Sequence, residues 1–350
     1  MMMMATEPST SSPLILTRDE AAISLKRQPL HLSQAHLLHS HIIHSGLLHH
    51  DIYIANLLIG MYRNCGSSEH AKLVFERMPE RSVVSWTVMM SACISKDKNH
   101  SHEAFHVYEE MKRQGFNPNR VTLLTLLKAC VDETTWVYGK MIHDHVVSCD
   151  LYYGDLALAT SLVNMYGRCG DVQNARLVFD QMSRHNSSDH VLWTTMISVY
   201  SQCGLVDESL SLFRKMILEE GITPTEVTFV AALGACVNPM YLEDGKFIHM
   251  NVSSMGFESN LIVATALVSM YGKCGDPHLA RSAYDKIPNP DVIASTSMIV
   301  VYSNYGYGAE AFQLFENLAV EPNEVTLIGV LGACSDMSKG LLIHRYVIEN

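Results

Sequence analysis

The sequence predicts an all-α protein, a solenoid of stacked helix-turn-helix units, and three observations carry this prediction. The frame Leu-x-x-Met-Tyr-x-x-Cys-Gly occurs three times, in NLLIGMYRNCG, TSLVNMYGRCG and TALVSMYGKCG, at starts 104 and 105 residues apart. After each copy, apolar residues fall at i, i+3, i+4 and i+7, which is the spacing of one helix face. A single helical hairpin is too small to bury that face, so neighbouring hairpins must stack.

Each copy of the frame is predicted to be a helix that ends at a glycine, because glycine adopts the left-handed turn that closes a helix at little steric cost. These glycines are Gly66, Gly170 and Gly275. A second helix should begin directly afterwards, with a side chain that accepts from its free amides. The predicted capping residues are Ser67, Asp171 and Asp276, and Pro277 suits a first helical position.

Two longer kinds of hairpin follow each short one, so the period of about a hundred residues is a triplet. The second helix of the middle unit reads EAFHVYEEM, ESLSLFRKM or EAFQLFENL, and the long unit opens with RVTLLTLLKAC, EVTFVAALGAC or EVTLIGVLGAC. The predicted short units are Ile52–Ser82, Leu156–Asp189 and Leu261–Asp291, the middle units Val83–Asn119, His190–Thr225 and Val292–Asn323, and the long units Arg120–Asp155, Glu226–Asn260 and Glu324–Asn350.

The organisation that follows has four parts. Residues 1–30 are expected to be a weak targeting or flexible segment, and residues 31–51 a partial opening repeat. Residues 52–323 hold the short, middle and long units, and residues 324–350 form a final long repeat that is expected to be truncated.

Composition limits the classes of function. No apolar run reaches the 18 residues of a membrane span, so no membrane partner is expected. Nine cysteines, none within four residues of another, argue against a zinc ribbon and a Cys-x-x-Cys redox pair. Six of them recur at repeat positions and are expected to be small buried hydrophobic residues in a reducing compartment. The six are Cys65, Cys130, Cys169, Cys236, Cys274 and Cys334. A net charge of −11 has the wrong sign for binding nucleic acid mainly through phosphates.

A histidine-rich stretch, HLSQAHLLHSHIIHSGLLHHD, has two interpretations. His36, His39 and His44 could approach one helix face and bind a metal, but no carboxylate or cysteine completes a ligand set. SHIIHSG also aligns with IHDHVVS of a later long unit, which favours the second helix of a partial opening repeat. We expect no metal and no other cofactor.

Unit lengths near 31, 35 and 36, together with MYGKCG, VVSWT, LVFDQM, NPN followed by VTL, and IHDHV, resemble plant pentatricopeptide repeat (PPR) proteins of the PLS subclass. The resemblance covers residues 31–350. It implies a right-handed superhelix that binds single-stranded organellar RNA, in a mitochondrion or chloroplast, and not DNA. In this family each repeat reads one base with two or three side chains.

By this resemblance, the fifth and last residues of a unit meet the base edge, and the second residue packs against the base. The implied base-reading pairs are Asn56 with Ser82, Thr87 with Asn119, Thr160 with Asp189, Thr194 with Thr225, Thr265 with Asp291, and Thr296 with Asn323. The implied packing residues are Tyr53, Val84, Val191, Ile262 and Ile293, with the smaller Ala157 in the second short unit. The family's code then gives the site 5′-CANGRNGA-3′.

Long units carry Leu124, Val230 and Ile328 at the fifth position, which cannot hydrogen-bond a base, so we expect them to be sequence-blind spacers. The thirteenth position of a unit often holds a phosphate-binding cation in the family. Arg168 and Lys273 match it, whereas the first short unit has Asn64 there, with Arg63 one place early.

No catalytic role is expected. The His-x-Glu and Pro-Cys-x-x-Cys signature of the deaminase-like domain that ends many relatives is absent from the sequence, so C-to-U editing would require a separate deaminase. The rival hypothesis is a protein-binding helical scaffold without RNA specificity. Polar residues recur at the fifth position of all six short and middle units, against aliphatic residues in all long ones, and this register favours RNA.

Overall fold

The computed structural model describes residues 15–27, 31–94, 101–148, 155–184, 189–318, 320–334 and 337–349. Regular structure in these ranges consists of 21 α-helices and two 3₁₀ turns, and none of these helices is both long and apolar enough to cross a bilayer. Residues 1–14 and 28–30 of the expected targeting segment lie outside the described residues. The chain divides into two compact units, Met1–Asp171 and Val172–Asn350.

The first unit is a stack of helical hairpins. Its first helices lie side by side, because α4 packs on α6, α6 on α8 and α8 on α10, while α5 packs against both α4 and α6. Its helices are α1 (Arg18–Lys26), α2 (Leu32–His44), α3 (Leu47–His50), α4 (Ile52–Asn64), α5 (Ser68–Glu76), α6 (Val83–Cys93), α7 (Ser101–Arg113), α8 (Arg120–Ala129), α9 (Trp136–Ser148) and α10 (Leu156–Arg168).

The second unit repeats the arrangement, with α12, α14, α16, α18 and α20 packed one on the next. Its helices are α11 (Val172–Ser183), α12 (His190–Gln202), α13 (Val206–Leu218), α14 (Glu226–Ala235), α15 (Leu242–Ser254), α16 (Leu261–Lys273), α17 (Pro277–Tyr284), α18 (Val292–Asn304), α19 (Gly308–Glu316), α20 (Glu324–Ala333) and α21 (Met337–Glu349). Each unit is therefore an α-solenoid, as the hydrophobic period predicts. A helix begins at each of the nine residues that open the predicted repeats.

The glycines predicted to close the repeated helix do so with a left-handed backbone. Their φ values are 74° at Gly66, 76° at Gly170 and 92° at Gly275. Asp276 caps the following helix by accepting from the Leu279 amide at 2.9 Å.

The predicted cap at Ser67 is wrong. The Ser67 hydroxyl lies 2.7 Å from Nδ1 of His70, and no cap bond forms, because the ring nitrogen takes the place of the backbone amide. The Asp171 carboxylate accepts from Nε1 of Trp136 at 2.8 Å.

The fourth residue of a middle unit is matched to an aromatic residue of the preceding helix. Trp86 packs on Phe75 at a ring distance of 4.8 Å, and Trp193 packs on Phe179 at 5.0 Å. The third middle unit has Ser295 instead, and there Tyr284 replaces phenylalanine. Its hydroxyl lies 3.0 Å from the Ser295 hydroxyl, so a hydrogen bond replaces the aromatic pair.

A histidine–tyrosine hydrogen bond joins α2 to α4, α9 to α10 and α15 to α16. Nδ1 of the histidine lies 2.7 to 2.8 Å from the tyrosine hydroxyl in the pairs His39–Tyr62, His143–Tyr166 and His249–Tyr271. Burial lowers the pKa of each of these histidines, in His39 to about 4. Because His39 repeats the contact of two long-unit histidines, we propose that α2 is the second helix of a partial opening repeat.

Four of the six repeat cysteines are buried, as predicted, and Cys65 and Cys334 are half-buried. Burial raises the pKa of Cys130 and Cys236 to about 12, so these thiols stay protonated and unreactive at neutral pH.

Gly308→Ala should destabilise the second unit, because α19 approaches α20 through this glycine. A Cβ at Gly308 would lie 2.4 Å from the carbonyl oxygen of Ala333, a backbone atom that cannot rotate away. We expect a loss of about 1–3 kcal/mol in the free energy of unfolding, measured in urea. Gly60→Ala is the matched control, since nothing lies within 4 Å of its Cβ. It should be neutral or stabilise α4 by about 0.5–1 kcal/mol. Equal effects of the two substitutions would contradict the prediction.

Candidate nucleic-acid interface

A cleft of about 420 Å³ opens in the second unit where α16, α18 and the start of α20 meet. Four of the residues implied to contact RNA line this cleft: Lys273, Ile293, Thr296 and Asn323. Val325 lines it as well. The implied packing and base-reading side chains of the third middle unit therefore share one cavity with the implied phosphate residue of the short unit before it.

Local structure explains this convergence. Ile293 and Thr296 are the second and fifth residues of α18, and residues three apart lie on one helix face. Lys273 ends α16, where a cation interacts favourably with the helix dipole. Asn323 is the N-cap of α20, so its side chain is held at the start of the next repeat.

All six implied last-position residues are helix N-caps. Each accepts from a backbone amide three residues ahead, at 2.8 to 3.4 Å. They are Ser82, Asn119, Asp189, Thr225, Asp291 and Asn323. Capping alone accounts for a polar residue at this position. It uses one oxygen, which leaves the amide nitrogen of an asparagine or the second oxygen of an aspartate for a ligand.

The threonines at the fifth position of the middle units make a contact that the sequence analysis missed. Their hydroxyls lie 2.6 to 2.8 Å from the hydroxyl of a threonine in the next repeat, in the pairs Thr87–Thr122, Thr194–Thr228 and Thr296–Thr326. The threonine of the next repeat also contacts the capping residue. Three implied pairs are thus joined: Thr87 with Asn119, Thr194 with Thr225, and Thr296 with Asn323.

The fifth residues of the short units are placed differently. The Thr265 hydroxyl donates to the Leu261 carbonyl at 2.7 Å. Asn56 has a buried Oδ1 without a hydrogen-bond partner in the described part of the chain. Among the described hydrogen bonds, none joins Thr265 to Asp291 or Asn56 to Ser82. Thr160 is half-buried in the first unit, and its implied partner Asp189 belongs to the second.

The implied packing residues form exposed apolar positions, with exposed fractions of 42% to 61% at Tyr53, Val84, Val191, Ile262 and Ile293. The long units carry the same feature at Val121, Val227 and Val325, with 56% to 62% exposed. These valines are recognisable in the sequence, because Val-Thr follows the first residue of every long unit. Because Ile293 and Val325 line one cleft, a planar base could lie between them.

Positive charge at the candidate interface is sparse. Arg168 and Lys273 are exposed at the ends of α10 and α16. In the first short repeat, Arg63 donates to Oδ1 of Asn64 at 3.0 and 3.2 Å and to the Ser91 hydroxyl of α6 at 3.1 Å. Arg63 thus links α4 to α6.

Comparison with protein families gives a specific match. A model described as PPR repeat family matches residues 81–132, and one described as PPR repeat matches residues 53–83, 158–187, 191–220 and 262–289. The chain carries pentatricopeptide repeats. Two relatives from Arabidopsis thaliana are the pentatricopeptide repeat-containing proteins CRR2, chloroplastic, and At3g24000, mitochondrial. CRR2 is 36% identical over 81% of this chain and 44% of its own length, and At3g24000 is 33% identical over 80% and 43%.

Among solved structures, the chain resembles the pentatricopeptide repeat protein PPR10 from maize, with a TM-score of 0.67 and 20% identity over 85% of this chain and 43% of PPR10. PPR10 in complex with an 18-nt psaJ RNA element gives a TM-score of 0.71 with 18% identity, over 95% and 51%. At these identities the likeness shows the fold. The chain spans about half the length of the curated relatives that it matches.

Proposed function

We propose that this pentatricopeptide repeat chain binds single-stranded RNA sequence-specifically, one base per short or middle repeat, with the base order 5′-CANGRNGA-3′. The cleft lined by Lys273, Ile293, Thr296 and Asn323 carries the proposal. An exposed cation, an apolar wall and two polar side chains match the three parts of a nucleotide, which are the phosphate, the base face and the base edge.

The proposal extends to the setting of that activity. The relatives named above are mitochondrial or chloroplastic proteins, and the triplets of short, middle and long repeats resemble the PLS subclass. We therefore place this chain in a plant organelle, where it supports RNA processing or modification such as C-to-U editing. In this proposal a deaminase that binds as a separate partner performs the chemistry.

RNA explains the pattern of side chains better than a protein ligand does. A peptide-binding scaffold has no need for exposed apolar residues at each second position together with polar residues at each fifth position of the short and middle repeats. Unpaired bases offer apolar faces and hydrogen-bonding edges at regular spacing, so successive bases can each contact one repeat of the solenoid.

The decisive experiment is equilibrium binding of the purified chain to the RNA 5′-CACGACGA-3′ and to the same RNA with both guanines changed to uracil. We expect the first RNA to bind about tenfold or more tightly. Equal binding of the two RNAs, or no binding above non-specific levels, would contradict the proposal and favour the protein-scaffold hypothesis. A partner search would then follow.

Affinity should depend only weakly on salt. Two or three cations at phosphates predict that log K falls with log salt with a slope of about −1.4 to −2. Lys273→Gln should make this slope shallower by about 0.7. Lys246→Gln removes the same charge from α15, where Lys246 pairs with Glu243, and should leave the slope unchanged. Titrations at several salt concentrations check both; a slope that Lys273→Gln leaves unaltered excludes this phosphate contact.

A further inference from the structure

We propose that Thr326, the third residue of the last long repeat, determines base specificity in the repeat before it, by fixing the direction of the hydrogen bond that Thr296 offers to a base. The inference rests on the proposed RNA binding. Thr326 is fully buried, so it acts through Thr296 and Asn323 as a positioning residue and touches no base itself.

The hydrogen bonds around Thr326 determine where its single proton lies. Its Oγ1 accepts from the backbone N–H of Asn323 at 3.2 Å and donates to the side-chain Oδ1 of Asn323 at 2.9 Å. The Thr326 backbone amide also donates to Oδ1, at 2.9 Å, so that atom must be the oxygen of the Asn323 side chain. The Thr326 proton is therefore committed to Asn323.

This commitment orients Thr296. Oγ1 of Thr296 lies 2.6 Å from Oγ1 of Thr326, and only the Thr296 hydroxyl can donate in that contact. Thr296 then presents only lone pairs to the cleft, while Asn323 keeps its Nδ2 donor. An acceptor beside a donor matches the 6-amino group and N1 of adenine, and the keto oxygen and N1–H of guanine present the reverse pattern.

The other two middle repeats provide an internal comparison. The first has the same arrangement, with Asn119, Thr122 and Thr87. The Thr87 proton lies toward either Thr122 or the Val83 carbonyl, so it is taken up within the protein in both cases. The second has Thr225 as the cap. A threonine hydroxyl can donate or accept, so the hydrogen bonds that link Thr194, Thr228 and Thr225 can point in either direction. Thr194 can then offer a base either a donor or an acceptor, and either purine fits.

The test is Thr326→Val, which removes the hydroxyl, keeps the side-chain shape, and leaves both residues of the family's base code unchanged. Affinity is measured for 5′-CACGACGA-3′ and for the same RNA with guanine as the eighth base. We expect wild type to prefer adenine and Thr326→Val to lose about tenfold of that preference, because Thr296 can then donate. Thr326→Ser should restore the preference.

Thr228→Val is the matched control. It removes the equivalent hydroxyl behind the threonine cap and should leave the ratio of adenine to guanine at the fifth base nearly unchanged. Thermal unfolding followed by circular dichroism verifies that each variant is folded.

If wild type discriminates at the two predicted guanines and at the eighth base, but Thr326→Val keeps the full adenine preference, the role of Thr326 is overturned and the proposed function stands. If wild type binds no RNA specifically, both proposals fail.

Discussion

The double substitution Thr160→Asn and Thr265→Asn should change the base preference at the two guanine positions from guanine to uracil. We expect a change of about tenfold in relative affinity at each position. The two sites lie in different repeats, so the effects should add and give about a hundredfold overall.

The reason lies in which hydrogen-bonding groups remain free at Thr265. Its hydroxyl proton is donated to the Leu261 carbonyl, so the side chain presents an acceptor. Its implied partner Asp291 uses Oδ1 to cap α18 and keeps Oδ2 as a second acceptor. Guanine alone among the four bases has two adjacent donors, N1–H and the 2-amino group, on its Watson–Crick edge. Asparagine adds a donor beside the aspartate, and this pattern matches the keto oxygen and N3–H of uracil.

Binding titrations with 5′-CACGACGA-3′ and its double-uracil counterpart measure the change. Thr125→Asn is the matched control, because the Thr125 hydroxyl also donates to the carbonyl four residues earlier, that of Val121, but it lies in a long repeat at the sixth position. It should leave the preference unaltered. A double mutant that still prefers guanine would show that the register of the code on this chain is wrong.

The helices could be predicted from sequence because their signals are local. The left-handed glycine at Gly66 and the cap at Asp276 depend on residues within four positions, and both are in the structure. The wrong prediction at Ser67 also has a local cause, since a histidine three residues ahead competes with the backbone amide for the Ser67 hydroxyl.

The candidate interface was predicted only in part, because its finer contacts join distant repeats. Thr296 and Thr326 are 30 residues apart, and Arg63 reaches Ser91 across 28 residues. One local signal was present and was not used. Thr326 follows the Asn323 cap by three residues, the spacing of a capping box, and the same spacing recurs in the other two long repeats.

The chain should lose stability as the pH falls from about 6.5 to 4, because histidines are held neutral between helices. The pKa of His39 is lowered to about 4 chiefly by burial, with further contributions from Arg77, His36 and His70. The unfolded chain, with an ordinary histidine pKa near 6.5, binds the proton first, so protonation favours unfolding over this range. His143 and His249 act in the same direction.

His39→Gln isolates this effect. Glutamine can still hydrogen-bond the Tyr62 hydroxyl but does not titrate, so the variant should lose less stability between pH 7 and 4.5 than wild type. The difference should be about 1–2 kcal/mol after allowance for the partial exposure of the ring, measured by urea unfolding at both pH values. His50→Gln, at an exposed position of α3, should show the wild-type pH dependence. If His39→Gln loses as much stability in acid as wild type, the prediction is wrong, and the acid sensitivity comes from groups other than His39.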